Sequence, residues 1–471
     1  MKIRMTDRRV AISLFCLLFV LLSLICSPYS VLADTETGET EETTETEATT
    51  DPSSNDDPLG SSVTCTQCAV VNADNGIVMY AKGPTDRIAP ASTVKLLSGI
   101  LAFEYYHDRM DESITVTSAS LSASGGFSIH LKDGEVVSAG NLLRAMIISN
   151  ANDAASVLAY NIGDNNVSNF VRMMNEKATE LGCTDSFFTN PTGMDDDQMY
   201  TTVTDLAKIV SYCAQNTEYT ALTTVDSYII PATNLSQERE ISNRNHMVST
   251  DVYQTKYYNP LAKGLVAGAT EKGGKCCVEL FTWYGHNYAA IVMNAKYDQE
   301  QDFDYMYTDA ETLLQWGFDN YTYLTIADTK TMICELPVTL SHNGDHVALV
   351  PARSVEIFVP KTADPDSDVE ISWRLFADEI QAPVAQGAIA GFLTVKYQGT
   401  VLDTIELVTK TDMSVSTFLR FANTLKQIVT NGFFIAFVCL LLVAAILTVW
   451  YTAKRRGAII AKHKKRSNTK S

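Results

Sequence analysis

The chain has 471 residues, 46% of them hydrophobic, and a formal net charge of −19. That length buries a sizeable core and allows about two to three domains. The acidic balance excludes nucleic acid as the main partner, because phosphate binding needs a basic face.

At the N-terminus, Lys2, Arg4, Arg8 and Arg9 precede an apolar run over residues 10–25, and Val31-Leu32-Ala33 follows where a signal peptidase reads small residues. Residues 1–33 therefore read as a signal peptide, with an uncleaved anchor helix as the alternative on the same criteria. Residues 34–62, rich in Thr, Glu, Ser and Asp, bury too little apolar surface to offset their chain entropy and are expected to be a disordered linker.

A first folded domain is expected over residues 63–322. Strands over 68–71 and 76–80 flank Asn72-Ala73-Asp74-Asn75, a hairpin signature. Pro90 opens a helix running to about Tyr106. With Val94, Leu96, Leu97, Ile100, Leu101 and Phe103, that helix is apolar on nearly every side and belongs in the middle of a domain. Helical character continues over 142–148, 153–162, 168–181 and 205–212. From about Leu265 the pattern turns to strands, including 277–284 and 288–293 joined by Gly285-His286-Asn287. A helical cluster on an antiparallel sheet is an α+β arrangement. Between 323 and 411, short β-rich runs alternate with Pro, Gly and Asp turns, the pattern of a small all-β domain.

Residues 412–430 read as a juxtamembrane helix leading to a transmembrane helix over 431–452. The 19 residues from Phe433 to Tyr451 carry no charge, and a helix of that length spans ~28 Å, close to the hydrocarbon thickness. Lys454, Arg455, Arg456, Lys462, Lys464, Lys465 and Arg466 then make 453–471 a basic tail, which places the C-terminus in the cytoplasm and the folded domains outside.

Of ten cysteines, seven lie between the two apolar ends, with Cys65 and Cys68 in C-x-x-C spacing and Cys276 beside Cys277. No second metal-spaced pair or nearby His cluster accompanies them, so a structural disulfide or buried thiols are expected and the pairing stays open. No metal and no organic cofactor is implied.

The strongest chemical signal is Ala91-Ser92-Thr93-Val94-Lys95. Ser at i and Lys at i+3 lie one above the other on a helix, so the amine reaches toward the hydroxyl. At a helix start, Ser92 feels the positive end of the dipole, and burial of Lys95 favours its neutral, basic form. The plainer alternative makes Ser92 a helix cap and Lys95 a snorkelling surface side chain.

These residues carry a family resemblance. Val70-Val71-Asn72-Ala73-Asp74-Asn75-Gly76 leading to Ile88-Ala89-Pro90-Ala91-Ser92-Thr93-Val94-Lys95 closely resembles the low-molecular-mass penicillin-binding proteins, the serine D-alanyl-D-alanine carboxypeptidases. The likeness continues through Asn152-Asp153-Ala154-Ala155, Phe188-Thr189-Asn190-Pro191-Thr192-Gly193-Met194 and residues 200–207, and the β-rich region to about Lys410 resembles the family's small C-terminal domain. The resemblance implies a penicillin-binding, β-lactamase-like transpeptidase fold. It also implies a Ser92 acyl-enzyme formed on peptidoglycan stem peptides, with Lys95 as base, β-lactams as acylating ligands and the membrane as partner through the C-terminal helix. Several ordered motifs are more specific together than any one alone.

Two departures accompany it. The family's S-x-N falls on Asn150-Ala151-Asn152, so an amide at the catalytic position of Asn150 replaces a proton-relaying hydroxyl, while Asn152 matches as a substrate contact. The K-T-G falls on Val266-Ala267-Gly268. Val266, Gly268 and Ala269 then stand at the substrate-binding edge, with Ala269 N–H and Ser92 N–H expected to hold the oxyanion. Lys263, Lys272 and Lys275 are the nearby cations available to compensate. A catalytically impaired scaffold that binds peptidoglycan or a partner at the outer membrane face is the alternative these departures favour. Oligomeric state cannot be read from the sequence.

Overall fold

The computed structural model describes residues 57–122, 125–250 and 255–467. The expected signal peptide and most of the expected linker lie outside the described residues. The linker expectation fails at its C-terminal end: Asp57 accepts hydrogen bonds from Gly60 N at 2.8 Å and the Tyr80 hydroxyl at 2.6 Å, and Leu59 packs into a core. One apolar side chain and one carboxylate with three donors suffice to hold this segment in place.

The centre of the fold is a five-stranded antiparallel sheet of β1 (Gln67–Asn72), β2 (Val78–Lys82), β3 (Ala262–Thr270), β4 (Gly274–Trp283) and β5 (His286–Ala295). Its order is β2-β1-β5-β4-β3, which puts the first strand beside the last, with Cys68 opposite Val292. Side chains alternate between two cores. Ala69, Val71, Val278, Leu280, Ala289 and Ile291 face one, and Cys68, Val70, Phe281, Ala290 and Val292 face the other. Both faces are covered, so the strands read as nearly continuous apolar runs.

The first face carries the helical cluster: α1 (Val94–Tyr106), α2 (Ala139–Ile148), α3 (Asn152–Ile162), α4 (Val167–Glu180), α5 (Val203–Gln215) and α6 (Thr217–Thr223). Side-chain oxygens start four of them, and Asn216 caps α6 by accepting from Tyr219 N at 2.9 Å. Ser138 accepts from Asn141 N, Asn166 from Ser168 N and Thr202 from Asp205 N, each satisfying an otherwise orphaned donor worth about 1 kcal/mol. α1 is buried except at Glu104 and Tyr105 in its last turn, as its sequence requires. The second face is covered by α7 (Tyr305–Asn320), whose Met306, Tyr307, Ala310, Leu313 and Leu314 pack there.

After α7 the chain is almost all β: a strand pair (Tyr321–Ala327 with Val355–Pro360) and a six-stranded sheet enclose their own core around Leu349, Leu393, Val395 and Leu407. The expected juxtamembrane helix begins later than residue 412. Met413 is buried in this β core and bridges Val384, and the helix runs over Thr417–Thr430 with Ser416 as its cap. Phe418, Phe421, Leu425 and Ile428 are exposed on it. A long helix, Gly432–Ser467, follows, and Gly432–Ala458 is long and apolar enough to cross a membrane.

Candidate active site

A pocket of about 130 Å³ opens where the start of α1 meets the sheet edge. It is lined by Ser92, Gly126, Phe127, Asn150, Asn152, Thr192, Gly193, Met194, Arg244, Gly268, Ala269 and Thr270. Ser92 sits in the tight turn Ala91–Thr93 that runs directly into α1. Thr93 steadies the turn through its hydroxyl, which donates to the Pro90 carbonyl at 2.6 Å.

Lys95 lies one turn on, 4% exposed, and its Nζ donates to the Thr192 carbonyl at 2.6 Å. Burial lowers its pKa from 10.5 to about 7, because a low-dielectric site disfavours the ammonium. A snorkelling surface lysine is thereby ruled out.

The segment Asn190–Met194 builds the wall behind this lysine. Asn190 Oδ1 accepts from Thr192 N, Thr192 Oγ1 and Gly193 N, and its Nδ2 donates to the Met194 carbonyl. That turn aims the Thr192 carbonyl at Lys95 and the Pro191 carbonyl at Ser98 Oγ, 2.8 Å away. Gly193 is required twice over: its φ is +82°, and a Cβ there would stand 1.8 Å from the Ala91 carbonyl oxygen.

Asn150 lies in the left-handed region, φ +58°. Its Nδ2 donates to Ser92 Oγ at 3.0 Å and to the Ala267 carbonyl at 3.0 Å, tying the loop to both the Ser92 turn and β3. Asn152 starts α3. Its Nδ2 donates to the Gly125 carbonyl, and its N donates to the Phe127 carbonyl at 2.8 Å. The buried Asp153 beside it accepts from Ser128 Oγ, Ile129 N and Leu131 N, which fixes the loop carrying Phe127 over the pocket.

On β3, Gly268 passes so close that a Cβ would lie 2.3 Å from Ser92 Oγ. Ala269 and Thr270 continue the pocket edge. Val266 does not line the pocket. Its isopropyl group points into the helical-side core, 7% exposed, because an apolar side chain at that register gains more by burial than by facing the opening.

Thus the pocket gathers Ser92, Asn150, Asn152, Gly268 and Ala269, with Lys95 behind the serine and Val266 outside. Of the compensating lysines, Lys272 is paired with Asp197, and Lys275 with Asp304 at 2.6 Å. The cation lining the pocket is instead Arg244, whose guanidinium lies 4.2 Å from the Phe127 ring centre. It stands between two asparagines that shape its turn: Asn243 Oδ1 accepts from Asn245 N, and Asn245 Oδ1 from Met247 N. Sequence reasoning missed it, although Asn-Arg-Asn is a turn signature. Asn245 also donates to Glu279 at 2.9 Å, a wholly buried carboxyl that burial pushes up to about 8.

A serine-lysine turn buried between a helical cluster and the edge of an antiparallel sheet, with an all-β domain after it, defines the penicillin-binding protein class of folds. The structure of penicillin-binding protein 5 from Haemophilus influenzae matches with a TM-score of 0.55 at 22% identity, over 75% of this chain and 98% of that one. PBP3 from Streptococcus pneumoniae, described as a peptidoglycan synthesis regulatory factor, gives 0.62 at 19% identity, over 75% and 100%. In sequence, residues 51–297 match the D-alanyl-D-alanine carboxypeptidase family and residues 338–414 the C-terminal domain of penicillin-binding protein 5. The chain belongs to the D-alanyl-D-alanine carboxypeptidase family. Among relatives, D-alanyl-D-alanine carboxypeptidase DacF of Bacillus subtilis is 26% identical over 75% of this chain and 86% of its own length. DacA of Haemophilus influenzae is 23% identical over 72% and 82%.

Proposed function

We propose that this protein is a serine D-alanyl-D-alanine carboxypeptidase that acts on peptidoglycan stem peptides through an acyl-enzyme on Ser92. The observation that carries the reading is the buried Lys95, brought to about 7 one helical turn from Ser92. Near neutral pH half of such amines are free bases, ready to take the serine proton as Ser92 Oγ attacks the carbonyl between the two terminal D-alanines. The backbone N–H groups of Ser92 and Ala269 would hold the oxyanion. Asn152 and the edge at Gly268 would bind the peptide, and Arg244 the terminal carboxylate. Water then clears the acyl group. β-Lactams acylate the same oxygen.

The apolar helix Gly432–Ala458 anchors the chain. The basic residues Lys454, Arg455 and Arg456 at its end put the C-terminus in the cytoplasm and the pocket on the cell-wall side.

The test is intact mass after incubation with penicillin, on the native protein and on Ser92→Ala. A covalent adduct on the first and none on the second supports the reading, and D-alanine release then measures turnover. A second reading, a binding scaffold with little catalysis, is favoured by Asn150 and by the withdrawal of Val266 from the pocket. A missing charged contact of this kind costs about 2–4 kcal/mol. A folded protein that gives no adduct removes the acyl-enzyme and leaves the scaffold as the better account.

A further inference from the structure

The six-stranded sheet of the β domain ends on the strand Val369–Leu375, which pairs on one side with Ile389–Tyr397 and on the other with none of the described strands. At its far end the sheet finishes in a strand of two residues, Ile380–Gln381, too short to recruit a neighbour. Val369–Leu375 has no such protection. It is seven residues long, pairs without a bulge and contains no proline or lysine. Its core-side positions are Val369, Ile371, Trp373 and Leu375, so no charge points inward to repel a second strand. Trp373 stands opposite Leu393 and Ile371 opposite Val395, and both of those partners are fully buried. Yet Trp373 is 50% exposed and Ile371 45%. The apolar layer of the β domain runs to the sheet edge and stops there uncovered.

The backbone of this edge is also open. Phe376 N donates to the Ala390 carbonyl at 3.0 Å. Alternation from that bond turns the main-chain groups of Ser372 and Arg374 toward Ile389–Tyr397 and those of Ile371 and Trp373 outward. On the other face of the strand, Glu370 and Arg374 are exposed, and neither makes an ion pair among the described residues. A second copy of the strand, laid antiparallel about a two-fold axis through Ser372, meets all of these groups. Ile371 then faces Trp373 of the copy, exchanging N–H and C=O groups, and Glu370 faces Arg374 of the copy, each pair occurring twice. Shifting the axis by one residue puts Ser372 against Glu370 or against Arg374, so only the register through Ser372 opposes both charges.

We infer that two copies of this chain associate edge to edge through Val369–Leu375, across a two-fold axis at Ser372, and join their six-stranded sheets into one. Main-chain hydrogen bonds hold the two edges, and Ile371 and Trp373 of each copy cover the open flank of the other. The sequence of the strand selects a second copy over an unrelated extended segment. Such a segment must carry an arginine opposite Glu370 and a glutamate opposite Arg374, which the copy supplies by symmetry.

The test is sedimentation of the full-length protein in detergent over a concentration series, where the native chain should show a monomer–dimer equilibrium. Glu370→Arg and Arg374→Glu each set like charges face to face at both pairs and should raise the dimer Kd about tenfold or more. The double exchange restores opposite charges and should return Kd to within about threefold of native. Trp373→Lys puts a charge on the apolar side of the edge and should abolish the dimer. Unchanged circular dichroism and melting temperature show that these exposed substitutions leave the fold intact. Ser372→Cys sets two thiols across the axis, where Cα atoms of a non-hydrogen-bonded pair stand about 4.5 Å apart, within disulfide reach. Mild oxidation should then join two copies through that position, as read by peptide mass. A native chain that stays monomeric overturns the inference. A dimer that tolerates Trp373→Lys, or that gives no cross-link through Ser372→Cys, is held elsewhere and overturns it too.

Discussion

Replacing Lys95 by Met should abolish acylation and at the same time stabilise the fold at neutral pH. The lysine is wholly enclosed, and its pKa drops from 10.5 in the open chain to about 7 when folded. Between those values the unfolded chain binds a proton that the folded chain does not, so this group makes stability rise with pH across that window. Below about 7 both states carry the ammonium, and its full burial cost of about 5 kcal/mol stands. Methionine has a similar length and no charge, and its substitution leaves the Thr192 carbonyl without its donor, a loss of about 1–2 kcal/mol. The net gain at pH 7 is then about 2–3 kcal/mol. Urea unfolding of both proteins from pH 6 to pH 10 measures it. The advantage of Lys95→Met should shrink by about 1.4 kcal/mol per pH unit above 7. Two parallel stability curves would refute the depressed lysine and the base assigned to it.

Glu279 has the opposite sign. Burial holds its carboxyl protonated up to about 8, against 4.5 in the open chain, so its contribution to stability falls as pH rises between those values. Glu279→Gln, which keeps an oxygen for Asn245, should remove that fall of about 5 kcal/mol, read by the same unfolding series. Gly193→Ala would set a methyl group 1.8 Å from the Ala91 carbonyl at a left-handed φ. It should lower the melting temperature and slow penicillin labelling at least about tenfold, since the serine turn must shift. Arg244→Ala should raise KM for the D-alanyl peptide by about 30-fold, some 2 kcal/mol for a lost charge-assisted contact, with a smaller change in kcat. Equal losses in both would argue that Arg244 acts on the chemistry and not on the carboxylate.

Much of this architecture is visible in the chain itself. The all-apolar helix after Pro90 had to be internal, and placing Ser92 at its mouth followed from Pro90 and the spacing to Lys95. The hairpins around Asn72–Gly76 and Gly285–Asn287 announce themselves by turn chemistry. What stayed hidden depends on contacts between distant segments. The burial of Val266 depends on the register of β3 against β4, which one strand's residues do not encode. Arg244 reaches the pocket because a loop from before β3 folds against the end of α2, where Arg244 N donates to the Ile148 carbonyl. Leu59 looked like linker because one apolar residue among polar ones has no period to reveal its face.

The pairing of β1 with β5 also has a consequence in time. A chain made from its N-terminus produces β1 and β2 as a lone hairpin, marginal in water, with the β1 edge unpaired until residues 286–295 exist. More than two hundred residues, β3 and β4 among them, must accumulate around that open edge before the sheet can close. The strand bearing Gly268 enters the same sheet only through β4 and β5. Ser92 therefore gains its pocket at the end of the domain's synthesis, and long-range closure of this kind is slow and exposed to misassociation. The Ser92 turn is thus built early and gains its pocket late, when the sheet that supports it is complete.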